Sequence, residues 1–237
     1  MPAITSVDYA RHGYLFDSVS KSVVSLHRYS KVSRSYIDFA SGFVLHVHDT
    51  KAVILTSVEA FDEDDEMVLV RFEDGTVKTA SVFVSNVSSI YTSLVVDDIS
   101  SVKPVQFSDA SIERGDMIYT YARVWPEILE DLGMYTGSVI HPNCISVDRY
   151  SGLRDTRYDN LFALSCPVAG PCPELKREST IARLIGAPVF NFNADLAGII
   201  ERSSNRVYDI KFARHSSSVI DELKGALESQ LIKKMAE

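Results

Sequence analysis

The chain has 237 residues and a formal net charge of −8, and 46% of its residues are hydrophobic against 24% charged. A chain of this length and composition can bury a sizeable core as one large or two small domains. Its acidic balance and scattered Lys and Arg argue against a nucleic-acid partner, and no apolar run reaches the roughly 18 residues that a membrane span requires.

The cysteines and the first residues of the chain bear on its compartment. The three cysteines, Cys144, Cys166 and Cys172, are odd in number and match no zinc or redox spacing, so we interpret them as reduced thiols. Residues 1–8 show no basic segment followed by an apolar one, and no secretory signal is evident. Together these features predict an intracellular protein, in the cytoplasm or the nucleus.

The chain begins with a polar segment and then alternates apolar strands with turns. Residues 1–17 carry isolated aromatic residues among polar ones, which predicts a loosely held arm or a short helix. Regular structure is expected from Ser22–Leu26 onward. The apolar segments Asp38–Leu45 and Lys51–Ser57 are separated by polar residues 48–50, which predicts two strands joined by a turn.

An acidic run and a hairpin follow these strands. Residues 62–66 are five consecutive carboxylates, a pattern that favours a solvated loop over a metal site or a site for a basic partner. The run lacks the turn glycine and the offset glutamate of a calcium-binding loop. The pair Asp74-Gly75 between two apolar segments is a hairpin signal, and Ile90–Val96 is typical of a further strand.

The second half begins after a linker at about residues 97–109 and again consists of apolar strands. Strands are predicted at Met117–Tyr121, Thr136–Ile140, Leu161–Cys166 and Val207–Ile210, with an exposed charged loop at Arg149–Asn160. Within Ile181–Ile200, the small-residue turn Gly186-Ala187-Pro188 leads into an apolar run that turns back at Asn193–Asp195. This stretch predicts a buried hairpin, and a turn over Glu201–Arg206 is expected to follow it.

The carboxyl-terminal segment has the spacing of an amphipathic helix. Val219, Leu223, Leu227 and later apolar residues share one face, Ser218 is a suitable N-cap, and Asp221 in the first turn suits the helix dipole. We expect this helix to pack on its own domain. A helix that fills a partner's groove is the alternative.

Three of these segments together resemble one family of enzymes. They are Ser41-Gly42-Phe43-Val44, Ile54-Leu55-Thr56-Ser57, and the turn Gly186-Ala187-Pro188 before a hairpin that ends in Gly198-Ile199. The combination resembles trypsin-fold serine peptidases, most closely the Deg/HtrA type and its degenerate plant relatives, over roughly Ser22 to Ala213.

The resemblance implies a mainly all-β fold of two antiparallel six-stranded β-barrels with a C-terminal α-helix. It divides one trypsin-like domain into four parts. These are an N-terminal arm at 1–17, a first barrel with linker at 18–109, a second barrel at 110–216 and a helix at 217–237.

The same resemblance places the catalytic positions of the family on residues that cannot carry its chemistry. The nucleophile position is Ile185, whose hydrocarbon side chain has no lone pair for attack on a carbonyl. The base position is Glu59, and a glutamate with a pKa of about 4.3 is a poor base for a serine hydroxyl. The orienting aspartate corresponds to Thr92, or to Tyr91 if the register slips by one.

The oxyanion loop of the family corresponds to Arg183 and Gly186. A Cβ at the Arg183 position, which the family leaves to glycine, disturbs the geometry of the backbone donor. We therefore assign no catalytic residue to this chain. The leading hypothesis is an inactive pseudoprotease that binds a protein or an extended peptide, using the old substrate cleft by strand addition.

Two alternatives stay open. An active serine or cysteine peptidase with a relocated nucleophile would draw on Ser179, Thr180 or Cys166, each of which needs a histidine within reach. A subunit that assembles with itself or with active relatives is the other. His46 and His48 share a face near a turn, but the sequence supplies no third ligand, so we predict neither a metal nor a cofactor.

Overall fold

The structure is a computed structural model and describes most of the chain. The described residues are 6–30, 35–57, 67–84, 91–122, 133–144, 146–147, 154–155, 159–166, 184–203 and 210–225. Several residues singled out in the sequence lie outside these ranges, namely Glu59, residues 62–66, Cys172, Ser179, Thr180 and Arg183.

The first half of the chain forms a closed barrel of six antiparallel strands. The strands are β1 (Val23–Ser30), β2 (Ser35–His48), β3 (Lys51–Ser57), β4 (Met67–Arg71), β5 (Val77–Val84) and β6 (Tyr91–Val96). Their order is β1-β2-β3-β6-β5-β4, and pairing of β1 with β4 closes the barrel. Asp49 (φ 53°) and Gly75 (φ 83°) adopt the left-handed conformation that the two predicted turns require, and both hairpins are confirmed.

The second half forms another closed six-stranded antiparallel barrel. Its strands are β7 (Met117–Ala122), β8 (Gly133–His141), β11 (Leu161–Ser165), β12 (Pro188–Phe190), β13 (Leu196–Ser203) and β14 (Ile210–His215), in the order β11-β14-β13-β12-β7-β8. The short strands β9 (Ser146–Val147) and β10 (Arg154–Asp155) pair with each other outside the barrel. The predicted hairpin is confirmed, with Ala194 (φ 68°) in its turn.

Three local expectations need correction. The segment Arg149–Asn160 is not all loop, because Arg154 and Asp155 pair with β9. The turn expected to start at Glu201 begins later, because β13 continues to Ser203 alongside β14. The last strand, Ile210–His215, continues beyond the end of the predicted strand Val207–Ile210, of which residues 207–209 lie outside the described chain.

The described residues also include two α-helices, α1 (Ser6–Val19, followed by a 3₁₀ turn at Ser20–Ser22) and α2 (described over 216–225). The arm expected at 1–17 is thus helical from Ser6. Ser218 is not the N-cap of α2, because β14 runs directly into the helix at residue 216 without an intervening loop.

Both helices pack between the two barrels. Leu15 and Val19 of α1 and Val219 of α2 are buried in one apolar cluster with residues of both barrels. The barrel residues of that cluster include Phe43, Leu55, Tyr91, Tyr121, Phe190 and Ile199. The described part of α2 therefore packs on its own domain, as expected. No helix within the described ranges is long and apolar enough to cross a membrane.

Candidate functional site

The loop that carries Ile185 lies where the two barrels meet. On the second barrel, the Gly186 N–H donates to the Ile200 carbonyl (2.8 Å), and the Ile200 N–H donates to the Ala187 carbonyl (2.9 Å). On the first barrel, the Ser41 N–H donates to the carbonyl of Ile185 itself (3.3 Å). Ile185 is therefore fixed at the junction through its backbone, and its side chain is half-buried.

Gly186 allows the close approach of this loop to the first barrel. Its φ of +80° falls in the left-handed region, which L side chains rarely adopt. A Cβ at Gly186 would strike the Ser41 carbonyl oxygen and lie 2.6 Å from Thr56 Oγ1. Thr56 Oγ1 itself donates to that Ser41 carbonyl (2.8 Å), so the groups that face Gly186 are held in place.

Strand β6 presents Tyr91 and Thr92 to opposite sides. Leu94 and Val96 belong to the core of the first barrel, and strand alternation puts Thr92 on the same inward face. Tyr91 instead belongs to the cluster between the barrels, and its hydroxyl donates to Glu201 Oε1 of β13 (2.8 Å). Of the two registers weighed for the orienting position, only Tyr91 faces the second barrel.

Tyr91 carries a proton rather than a charge at this position. Burial, followed by the negative charge of Glu201 and the hydrogen bond to it, raises the pKa of Tyr91 well above its ordinary value. A neutral phenol that donates to a carboxylate cannot serve as the negatively charged partner that orients a catalytic imidazole.

Glu201 and Arg214 form a buried ion pair beside Tyr91. Arg214 Nε donates to Glu201 Oε1 and Arg214 Nη2 to Glu201 Oε2 (3.2 Å), a two-pronged arrangement. The side chains are only 4% and 9% exposed, respectively. Burial acts to lower the pKa of Arg214, but its hydrogen bond to Glu201 and the charge of that carboxylate outweigh burial, and the pKa is raised.

Sequence reasoning missed this pair. The sequence predicts a turn that begins at Glu201 and gives Arg214 no role. The available signal was weak: each charged residue directly follows an apolar stretch of a strand, Ile199-Ile200 in one case and Ala213 in the other. Thirteen positions separate the pair, which meets because β13 and β14 are neighbouring strands.

The candidates for a displaced nucleophile are not well placed among the described residues. Cys166 is fully buried in the core of the second barrel. Burial raises the pKa of the Cys144 thiol, which keeps it protonated. His215 lines the same surface groove as Cys144, but its Nε2 lies 2.8 Å from the Pro142 carbonyl oxygen, and burial lowers its pKa.

Two further histidine arrangements are present. Ser25 Oγ lies 2.7 Å from His27 Nε2 on β1, a contact that the sequence reasoning did not identify. Ser25 is only 3% exposed, which closes it to a substrate. His46 and His48 are both solvent-exposed, and no group of three or more metal-binding side chains occurs among the described residues.

One edge of β13, next to Ile185, has no pairing strand among the described residues, and we call it the open edge. Strand β12 pairs with β13 only as far as Ile199, and the Ile185 loop adds the two bonds to Ile200. Beyond that point β13 continues through residues 201–203 with β14 on one side, and no described strand pairs with it on the other. Such an edge has backbone groups free to pair with an added strand.

Comparisons with known proteins give a structural likeness without a sequence match. No protein-family model matches the chain, and no curated protein matches it. A serine-to-alanine mutant of Rv3671c from M. tuberculosis, in an inactive form, is similar with a TM-score of 0.68 at 13% identity, covering 97% of each chain.

Two other solved structures are similar to the same extent. The Rv3671c protease in its inactive form has a TM-score of 0.64 at 13% identity, over 93% of this chain and 94% of that one. A serine endoprotease from Yersinia pestis has a TM-score of 0.66 at 14% identity, over 92% of this chain and 66% of that one. With its two closed six-stranded barrels, the chain has the double-barrel fold of trypsin-like serine proteases.

Proposed function

We propose that this chain is a catalytically inactive, Deg/HtrA-like pseudoprotease that acts by binding a protein or an extended peptide. The observation that carries the proposal is Ile185, which lies in the loop between the barrels: its carbonyl accepts from Ser41 of the first barrel, and the next two residues, Gly186 and Ala187, bond to Ile200 of the second. A hydrocarbon side chain cannot attack a peptide carbonyl, so a scaffold that keeps this loop without a nucleophile is suited to binding and not to cleavage.

The open edge of β13 supports strand addition as the mode of binding. Ile200 directs its N–H and C=O toward the Ile185 loop. A bulge at Glu201, between the pairs Ile200 with Ala213 and Arg202 with Phe212, adds one residue. The backbone N–H and C=O groups of Glu201 and Arg202 therefore both point toward β14. Those of Ser203 point to the open edge, where a peptide backbone can pair.

The remaining parts of the proposal rest on composition and resemblance. We place the protein in the cytoplasm or nucleus as a degenerate, plant-type relative of the peptidases, with no cofactor, no membrane and no nucleic-acid partner. Assembly with itself or with active relatives is a second form of the same binding role.

The rival is an active peptidase with a relocated nucleophile. The observation that favours it is the 2.7 Å contact between Ser25 Oγ and His27 Nε2, the hydroxyl and imidazole that a serine nucleophile requires. Against it, Ser25 is buried, which closes its hydroxyl to a substrate. Cys166 and Ser179 are the other candidates to test.

A labelling experiment separates the two functions. The purified chain is incubated with a fluorophosphonate probe and, separately, with fluorescein-labelled casein, beside an active trypsin-fold peptidase as positive control. We expect neither labelling nor casein cleavage. Labelling of the wild type that is lost in Ser25→Ala, Cys166→Ala or Ser179→Ala would establish the rival and overturn the proposal.

A binding experiment tests the strand-addition mode. Casein is largely extended, and its fluorescence anisotropy reports binding to the chain. We expect saturable binding by the wild type and by Ser203→Ala, and binding about tenfold weaker for Ser203→Pro, because proline removes the edge N–H. Equal affinities for the alanine and proline variants would exclude this edge as the binding site.

A further inference from the structure

Four polar side chains from three parts of the fold form one continuous series of contacts. Tyr91 of the first barrel donates to Glu201, and Glu201 is held by both prongs of Arg214 in the second barrel. Arg214 Nη1 then lies 3.5 Å from Glu222 Oε1 of helix α2. The contacts therefore run from one barrel through the other to the carboxyl-terminal helix.

Glu201, in the middle of this series of contacts, lies at the open edge of β13. Glu201 is the bulged residue at which pairing with β12 has ended; from there to Ser203, β14 is the only strand among the described residues that pairs with β13. It directly follows Ile200, whose C=O and N–H bond to Gly186 and Ala187, the two residues after Ile185. The conformation of Glu201 is therefore tied both to the edge and to the loop between the barrels.

The last contact in this series, between Arg214 and Glu222, holds helix α2. Val219 buries the first turn of the helix between the barrels, and Glu222, one turn further, faces Arg214. The second oxygen of Glu222, Oε2, is buried without a hydrogen-bond partner among the described residues. Only one of the two carboxylate oxygens of Glu222 thus has a polar partner, which offsets little of the cost of burying it. We therefore expect the Arg214–Glu222 contact to break more readily than the Arg214–Glu201 pair.

A purely structural role is the competing explanation for these contacts. Buried ion pairs give little net stability, because desolvation of the two charges offsets much of their attraction, and apolar side chains often replace them without loss. Stability alone therefore does not account for a charged link that joins a helix to a strand edge. A link of this kind is, however, suited to positioning that edge.

We propose that Arg214 and Glu222 couple the docking of helix α2 to the conformation of the open edge at residues 201–203, so that the helix regulates peptide binding at that edge. This inference rests on the proposed function for its biological meaning. The coupling itself is expected in the protein alone, with no ligand bound. Arg214 is a positioning residue in this scheme and does not contact the peptide.

The test measures backbone amide exchange by mass spectrometry in the full chain. In Glu222→Gln, which keeps the side-chain shape but removes its charge, we expect exchange in a fragment covering 196–203 to be about threefold to tenfold faster. Arg214→Lys, which cannot grip both Glu201 oxygens and also reach Glu222, should do the same. Asp221→Asn, an exposed neighbour on the same helix, is the matched control and should leave this fragment unchanged.

The outcomes separate this inference from the proposed function. If Glu222→Gln speeds exchange only in the helix and leaves 196–203 at the wild-type rate, the role is structural and the coupling is overturned. Binding of fluorescein-labelled casein is measured on the same proteins. Failure of the wild type to bind casein counts against the proposed function, whereas the exchange result decides the coupling independently.

Discussion

The hydroxyl of Tyr91 in the first barrel donates a 2.8 Å hydrogen bond to Glu201 Oε1 in the second, across 110 positions of sequence. Both side chains are buried, and Arg214 neutralises the carboxylate. Tyr91, one of the two residues that the resemblance offers for the orienting position, is therefore a neutral donor that joins the barrels.

Replacement of Tyr91 by phenylalanine should destabilise the protein. Tyr91→Phe removes one donor from a buried carboxylate, which costs about 1–3 kcal/mol of unfolding free energy. Urea unfolding followed by circular dichroism gives the comparison, with a lower midpoint expected for the variant. Tyr14→Phe is the matched control, because Tyr14 is 53% exposed and should tolerate the change. Identical midpoints for the two variants would show that the hydrogen bond contributes nothing.

Replacement of Gly186 by alanine should cost more than the same change at another glycine with positive φ. Gly75 has nearly the same φ, +83° against +80°, but open space around it, whereas a Cβ at Gly186 meets Ser41 and Thr56. Gly75→Ala should cost about 1–2 kcal/mol from backbone strain alone, and Gly186→Ala about 1–3 kcal/mol more from the collision. Chemical denaturation of both variants measures the difference. Equal losses would mean that the loop does not press against the first barrel.

Much of the fold follows from local signals in the sequence. The hairpins at Asp49 and Gly75 were predictable because turn residues with positive φ leave a recognisable composition. The end of β13 was not, because the polar run from Glu201 onward suggests a turn, whereas Glu201 in fact pairs with Arg214 of the neighbouring strand. Tertiary pairing, which the local pattern does not contain, decided that boundary.

The candidate site was predictable in position but not in register. The small-residue turn located Ile185, but the neighbours Tyr91 and Thr92 could not be separated by pattern, because both suit a strand. Only the alternation of β6 between the core and the barrel interface distinguishes them. The partnership of Glu201 with Arg214 was equally hidden, because charged residues in sequence suggest solvent exposure unless their partner is known.

Acid should destabilise the protein through His215. Burial lowers the pKa of His215 in the folded state, so the unfolded chain takes up the proton first as pH falls. The stability from the neutral ring is present above about pH 6.5 and is lost as pH falls through the folded pKa, with a slope of up to about 1.4 kcal/mol per pH unit. Urea unfolding at pH 7.5 and pH 5 measures the loss.

A variant isolates the His215 contribution. His215→Gln keeps a donor toward the Pro142 carbonyl but cannot titrate, so part of the acid sensitivity should disappear. His48→Gln, at an exposed position, should retain the full wild-type sensitivity. If both variants lose stability with pH as the wild type does, the acid response arises from other groups.

Restoring the family residues should not restore peptidase activity. The combination Glu59→His, Tyr91→Asp and Ile185→Ser supplies a nucleophile, a base and an orienting carboxylate. Aspartate at position 91, however, loses the donor to Glu201 and puts a second carboxylate beside it. We expect Tyr91→Asp to be less stable than Tyr91→Asn by about 1 kcal/mol or more at pH 7, because like charges in a buried site repel. The difference should shrink as pH falls and the carboxylates protonate.

Fluorophosphonate labelling of the triple variant tests whether peptidase activity returns, and we expect no labelling. Rapid labelling at position 185 would mean that Glu201 and Arg214 leave the catalytic geometry intact.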